Sequence, residues 1–148
     1  MNEIEKLLPH RAPFLFVDRI IKTDKDEIIA EKTFTLDDCF FKGHFPEYPV
    51  VPGVILIETM AQAGGAGLRK NGSLSGESLF FLASIDKVKF RRQARPDEKL
   101  RLEIKNLRVT SNMIRQSGRV YIDNDLAAEA EWLCLVQKTT DTEKTSDN

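Results

Sequence analysis

The chain has 148 residues, of which 41% are hydrophobic and 30% charged. That length suits one domain that buries its own core without disulfide or metal staples. With 22 basic and 23 acidic residues the formal net charge is −1, which excludes a globally basic nucleic-acid binder. No apolar run nears the roughly 20 residues of a membrane span.

The first predicted element is a short helix over residues 2–8. Its start carries Glu3 and Glu5 and lacks the basic, then apolar, pattern of a signal peptide. Residues 17–22 and 27–36 form a predicted hairpin around Asp24-Lys25-Asp26. The stretch from Phe40 to Gly53 holds Gly43, Pro46, Pro49, Pro52 and Gly53 around His44. Proline fixes φ and removes amide donors, so this loop is expected to hold its side chains in place. Residues 54–68, VILIETMAQAGGAGL, are apolar on every face except at Glu58, Thr59 and Gln62. That pattern predicts a buried helix, with Pro52 in its first turn. Gly64, Gly65 and Gly67 require either close packing or an early helix end. Strands follow over residues 79–91, 98–109, 113–122 and 126–136. A phase slip near Lys105–Asn106 predicts a bulge, and Asp123-Asn124-Asp125 a hairpin turn. The last strand is expected to be apolar on both faces at its end. The domain is expected to occupy residues 1–137, with a polar, disordered tail over 138–148. The fold class is therefore α+β, with an antiparallel sheet curled around one long central helix.

Cys39 and Cys134 are the only cysteines and His10 and His44 the only histidines. Neither cysteine has a neighbour at metal-ligand spacing, so no zinc site and no disulfide framework are expected, and a reducing cytoplasm is the default. Glu58 carries more information. A carboxylate inside an apolar helix is costly unless it is paired or protonated. Desolvation raises its pKa towards the range of a general acid or base. Gln62, four residues on, shares its helix face and is placed to orient it. The same pattern also fits a glutamate neutralised by a nearby Arg or Lys. Imidazole is the side chain whose ordinary range lies near neutral pH, so His44 suits a base held in a rigid loop, or a histidine simply hydrogen-bonded there. Gly53 precedes the helix, where free amides and the helix dipole can polarise a carbonyl oxygen; it also suits a start that needs close packing. His10 has no such context and is assigned to packing.

The ordered residues Gly43-His44-Phe45-Pro46, Pro49-Val50-Val51-Pro52-Gly53-Val54, Glu58 and Met60-Ala61-Gln62-Ala63-Gly64-Gly65 closely resemble the β-hydroxyacyl-acyl-carrier-protein dehydratases of bacterial fatty-acid synthesis. Leu7-Leu8-Pro9-His10-Arg11, Pro13-Phe14-Leu15-Phe16-Val17-Asp18-Arg19 and Ile85-Asp86-Lys87-Val88-Lys89-Phe90-Arg91-Arg92 extend the resemblance to about residue 136. It implies the hot-dog fold and a homodimer whose active site takes the histidine from one subunit and the glutamate from the other. It also implies hexamers built as trimers of dimers in many members. The implied reaction removes water from a (3R)-hydroxyacyl thioester of acyl carrier protein to give the trans-2-enoyl product. His44 and Glu58 would be the catalytic pair, Gly53 the oxyanion donor and Gln62 the orienting residue. The chemistry is proton transfer and calls for no metal or redox cofactor.

Acyl carrier proteins are acidic, and Lys87, Lys89, Arg91, Arg92 and Arg95 form a local basic stretch suited to docking one, or a solvated strand face. Phe81, Phe90, Ile57 and Met60 are candidate tunnel residues or plain core. The chain departs from the family at Glu47-Tyr48, where Gly-His is common, and at Asp97, where glycine is common. Glu58 and Val54 stand where the dehydratase–isomerase branch usually has aspartate and cysteine. The remaining alternatives are a hot-dog thioesterase and a non-catalytic acyl-binding or scaffold subunit.

Overall fold

Asn2 caps a short helix α1, Glu3–Leu7, by accepting from the Glu5 amide while the Glu5 carboxylate reaches back to the Asn2 amide. This reciprocal capping box satisfies two otherwise free donors. The computed structural model describes residues 1–75 and 78–138, so the tail expected from residue 138 onward lies almost wholly outside the described residues.

Strands β1 (Arg19–Thr23) and β2 (Glu27–Thr33) form the expected hairpin; Asp24 Oδ1 closes its turn by accepting from the amides of Asp26 and Glu27. β2 ends before Leu36, which is exposed. The long helix α2 runs Gly53–Lys70, with Pro52 as its N-cap, so it begins one residue earlier and ends two later than the periodicity predicts. Strands β3 (Ser78–Phe90), β4 (Lys99–Val109), β5 (Met113–Ile122) and β6 (Asp125–Lys138) complete one antiparallel sheet. Its spatial order is β1-β2-β4-β5-β6-β3, which leaves β1 and β3 at the edges. The β4 register slips between Asn106 and Arg108, close to the expected bulge. Asp97 has φ +68°, a left-handed conformation that suits the glycine common at this position in the family it resembles.

The core lies between α2 and the inner face of the sheet. Alternate residues Ile28, Leu100, Leu102, Ile104, Ile114, Val120 and Trp132 point into it. The glycines of α2 do not end the helix. A Cβ on Gly64 would meet the Gln116 side chain, on Gly65 the Phe80 ring, and on Gly67 Ile28. Each glycine lets the sheet approach the helix backbone, which offsets its cost in helix propensity. Buried Gln116 fastens this contact: its amide donates to the Gly64 carbonyl (3.3 Å) and to Asn106 Oδ1 (2.8 Å), and its oxygen accepts from Trp132 Nε1 (3.1 Å). The end of β6 differs from expectation. Leu135 is half exposed, because its parity faces away from the helix.

Candidate active site

His44 sits just after a 3-10 turn, Cys39–Lys42, that the sequence pattern did not reveal. Phe40 anchors the turn by packing against Phe16 and Phe34, with ring centroids 6.3 and 5.3 Å away. The His44 amide then donates to the Phe40 carbonyl at 2.9 Å. The His44 ring is fixed by a 3.0 Å contact between Nδ1 and the Val50 carbonyl. A carbonyl only accepts, so the proton of the neutral ring is on Nδ1 and the free lone pair is on Nε2. The next amide, Val51, donates to the Ala94 carbonyl at 2.7 Å and ties the loop to the segment after β3.

The His44 loop and that segment wall a cavity of about 520 Å³ lined by His44, Val50, Gly53, Val54, Leu56 and Phe90, among others. Gly53 is the first residue of α2, where its amide has no intrahelical acceptor. A Cβ there would collide with the Phe90 ring, so both readings of Gly53, free amide and close packing, apply together. Phe90 and Phe81 are half exposed, whereas Ile57 and Met60 are buried; Met60 belongs to the core beneath Trp132.

Glu58 lies farther along α2 and does not line the His44 cavity. Its carboxyl accepts from Gln62 Nε2 at 3.1 Å. Buried Gln62 is itself locked: its oxygen accepts from the Phe16 amide (2.8 Å) and its nitrogen also donates to the Phe14 carbonyl (3.2 Å). That network fixes the amide orientation, so Gln62 presents only a donor to Glu58. Burial pushes the Glu58 pKa up, partly offset by the Gln62 bond. No Arg or Lys pairs with Glu58 among the described residues, which removes the reading of a neutralised structural ion pair. Burial of the Cys134 thiol, and then the nearby Glu58 carboxylate, push that thiol up to about 12, so it is inert. Thus the structure joins Glu58 with Gln62, and His44 with Gly53, but keeps the two pairs apart within one chain.

His10, assigned to packing from the sequence, stands beside Glu58, with Nε2 3.9 Å from the carboxyl oxygen. No periodicity marks it; only the path of residues 8–16 across the helix brings it there. Of the basic stretch, Lys87 pairs with Glu131, Arg91 with Glu129, and Arg92 with Glu98 and Asp125. Arg95 lies over the Tyr48 ring and donates to its hydroxyl, which in turn donates to Gln93. Tyr48, one of the family departures, thus holds its loop against the same segment as Val51. Lys89 has no ion pair among the described residues.

The FabA-like domain family matches residues 8–131. The 3-hydroxyacyl-[acyl-carrier-protein] dehydratase FabZ of Desulforamulus reducens is 42% identical over 137 residues, covering 92% of this chain and 96% of its own. The dehydratase of the same name from Coxiella burnetii is 39% identical over 138 residues, covering 91% and 97%. The dehydratase heterocomplex ApeI:P from Xenorhabdus doucetiae shares the fold, with a TM-score of 0.80 at 17% identity over 100% of this chain and 99% of the other. A hypothetical thioesterase from Streptococcus pneumoniae superposes less well, with a TM-score of 0.61 at 10% identity over 81% and 85%. The residues matched by the family span α1's exit, the His44 loop, α2, strands β1 to β5 and the first half of β6, and the chain belongs to the FabA-like family, among its FabZ-type 3-hydroxyacyl-[acyl-carrier-protein] dehydratases.

Proposed function

We propose that this chain removes water from (3R)-hydroxyacyl thioesters of acyl carrier protein to give trans-2-enoyl thioesters in fatty-acid elongation, using His44 as base and Glu58 as acid. The observation that carries the roles is the division of labour around these two groups. The Nδ1 bond to Val50 leaves the His44 Nε2 lone pair free in a cavity at the start of α2. Burial and the absence of a cationic partner keep Glu58 protonated to higher pH than an ordinary glutamate.

In this mechanism His44 Nε2 takes a proton from the carbon next to the thioester carbonyl. The Gly53 amide stabilises the enolate oxygen at the helix N-terminus. Glu58 gives its proton to the β-hydroxyl, which leaves as water as the new double bond forms. The proton on His44 returns to the Glu58 carboxylate through solvent, and the enzyme is reset. Gln62 orients Glu58 throughout.

Because the two pairs stay apart in one chain, the active unit is read as a homodimer joined along β3. Phe81, Leu82, Ile85, Val88 and Phe90 on that edge strand are all exposed, as is Val54 at the start of α2. A long apolar edge is a template for a further strand. Such a dimer brings His44 of one copy to Glu58 of the other. Assembly of three dimers into a hexamer is the larger form of the same reading. Carrier docking falls chiefly to Lys89 and Arg95, since carboxylates already neutralise Lys87, Arg91 and Arg92. A cytoplasmic location fits a carrier-bound substrate.

The test is to follow enoyl thioester absorbance with a 3-hydroxybutyryl thioester of acyl carrier protein, comparing wild type with Glu58→Gln and His44→Ala. Product from wild type and its loss in both variants is expected. Release of free thiol would indicate thioesterase chemistry instead, and an intact substrate a binding or scaffold role.

A further inference from the structure

The mechanism makes no use of His10, yet its surroundings are not those of a packing residue. Its Nδ1 is buried and has no hydrogen-bond partner among the described residues. Its ring packs against Phe80 at a centroid distance of 5.8 Å. A buried N–H without an acceptor is rarer and costlier than a lone pair without a donor. The proton of the neutral ring therefore belongs on Nε2. That nitrogen faces Glu58 Oε1 at 3.9 Å, a gap that one bridging water or a small carboxyl rotation closes. The same oxygen, Oε1, already accepts from Gln62 Nε2.

We propose that His10 is a positioning residue: its neutral imidazole presents Nε2–H to Oε1 of Glu58, joins Gln62 in engaging that oxygen, and leaves Oε2 to carry the proton given to the substrate hydroxyl. The inference rests on the reading of Glu58 as the acid. Two donors on one oxygen distinguish the carboxyl's two atoms and stop the carboxyl from rotating its proton away from the substrate. The ring is kept neutral by burial, then by the nearby charges of Arg69 and Arg11, all of which push its pKa down. Among the described residues, the other groups that interact with Glu58 are Gln62 on its own helix and the inert Cys134 thiol on β6.

The experiment replaces His10 with Leu, Gln and Asn in the full chain. It reads kcat, KM, the pH profile and the thermal midpoint. His10→Leu is expected to lower kcat roughly tenfold with little change in KM, about the effect of one lost hydrogen bond to a charged group. It should also move the alkaline limb, set by Glu58, to higher pH, because a donor that favours the ionised carboxylate is gone. His10→Gln restores kcat, since its amide nitrogen stands in for Nε2; His10→Asn, which stands in for Nδ1, does not. Rescue by Asn rather than Gln overturns the inference, as does wild-type kcat in all three variants or a loss of kcat that simply follows the thermal midpoint. Should wild type make no enoyl product, the underlying reading fails, and carbon-13 titration of the Glu58 carboxyl still decides this one. An upward shift in His10→Leu supports it, and an unmoved titration overturns it.

Discussion

The two edges of the sheet are built on opposite plans. β1 is five residues long, is irregular in register at Ile20–Lys22, and carries Arg19 and Lys22 in ion pairs with Glu31 and Glu27. Short length, charge and irregularity are the devices by which proteins keep an edge from pairing. β3 is thirteen residues long and exposes Phe81, Leu82, Ile85, Val88 and Phe90. One edge is closed to further strands and the other is left open. The open edge leads at Phe90 to the cavity that holds His44, so the edge proposed for dimer formation and the cavity proposed for catalysis share a boundary.

Placing a charge on each edge breaks the comparison most directly. Val88→Glu is expected to yield monomers on a sizing column and to lower the dehydration rate at least a hundredfold. Ile21→Glu, an exposed apolar residue on the closed edge, should leave both unchanged. Loss of activity without loss of the dimer would separate the two roles of β3.

A mixing experiment sharpens it. His44→Ala and Glu58→Gln chains, each inactive alone, should regain about a quarter of the wild-type rate when unfolded together and refolded. Half of the symmetric pairs are then mixed, and each mixed pair holds one intact site. No recovery would place both residues of a working pair in one chain.

A smaller effect is expected from reversing charge at Lys89 and Arg95 together. KM for the carrier-bound substrate should rise several-fold and lose salt dependence, with kcat retained. Reversal at Lys87 and Arg91, already paired with Glu131 and Glu129, should do less.

The smallest effect is on stability. The folded pKa of Glu58 lies above its unfolded value. Its contribution is therefore fully present below the unfolded pKa and is lost as pH rises through the folded pKa. Glu58→Gln removes that slope, so its thermal midpoint should gain on wild type by a few degrees from acid to neutral pH. Parallel curves for the two proteins would mean that Glu58 is not held at a raised pKa.

Much of the site was legible in the residue order. Glu58 and Gln62 meet as helix spacing requires, and the proline-rich loop does hold the His44 ring by its own Val50 carbonyl. Trp132 and Cys134 share one parity of the last strand, and both are buried. The failures share a cause. The end of β6 read as apolar on both faces, but composition does not say which parity the helix covers, and that of Leu135 faces away from it. The 3-10 turn at Cys39–Lys42 owes its position to Phe40 packing on nearby Phe34 and on Phe16, a residue distant in sequence. His10 looked like filler because its partner lies 48 positions away.

The sequence by itself determined the elements, the family and the two chemically loaded side chains, because those rest on periodicity, on proline and glycine, and on the cost of a carboxylate in an apolar helix. Only the tertiary structure decided which donors face Glu58, which cations are already neutralised, and which edge of the sheet is left open. Those depend on register and on contacts between distant segments, where a shift of one residue moves a side chain to the other face.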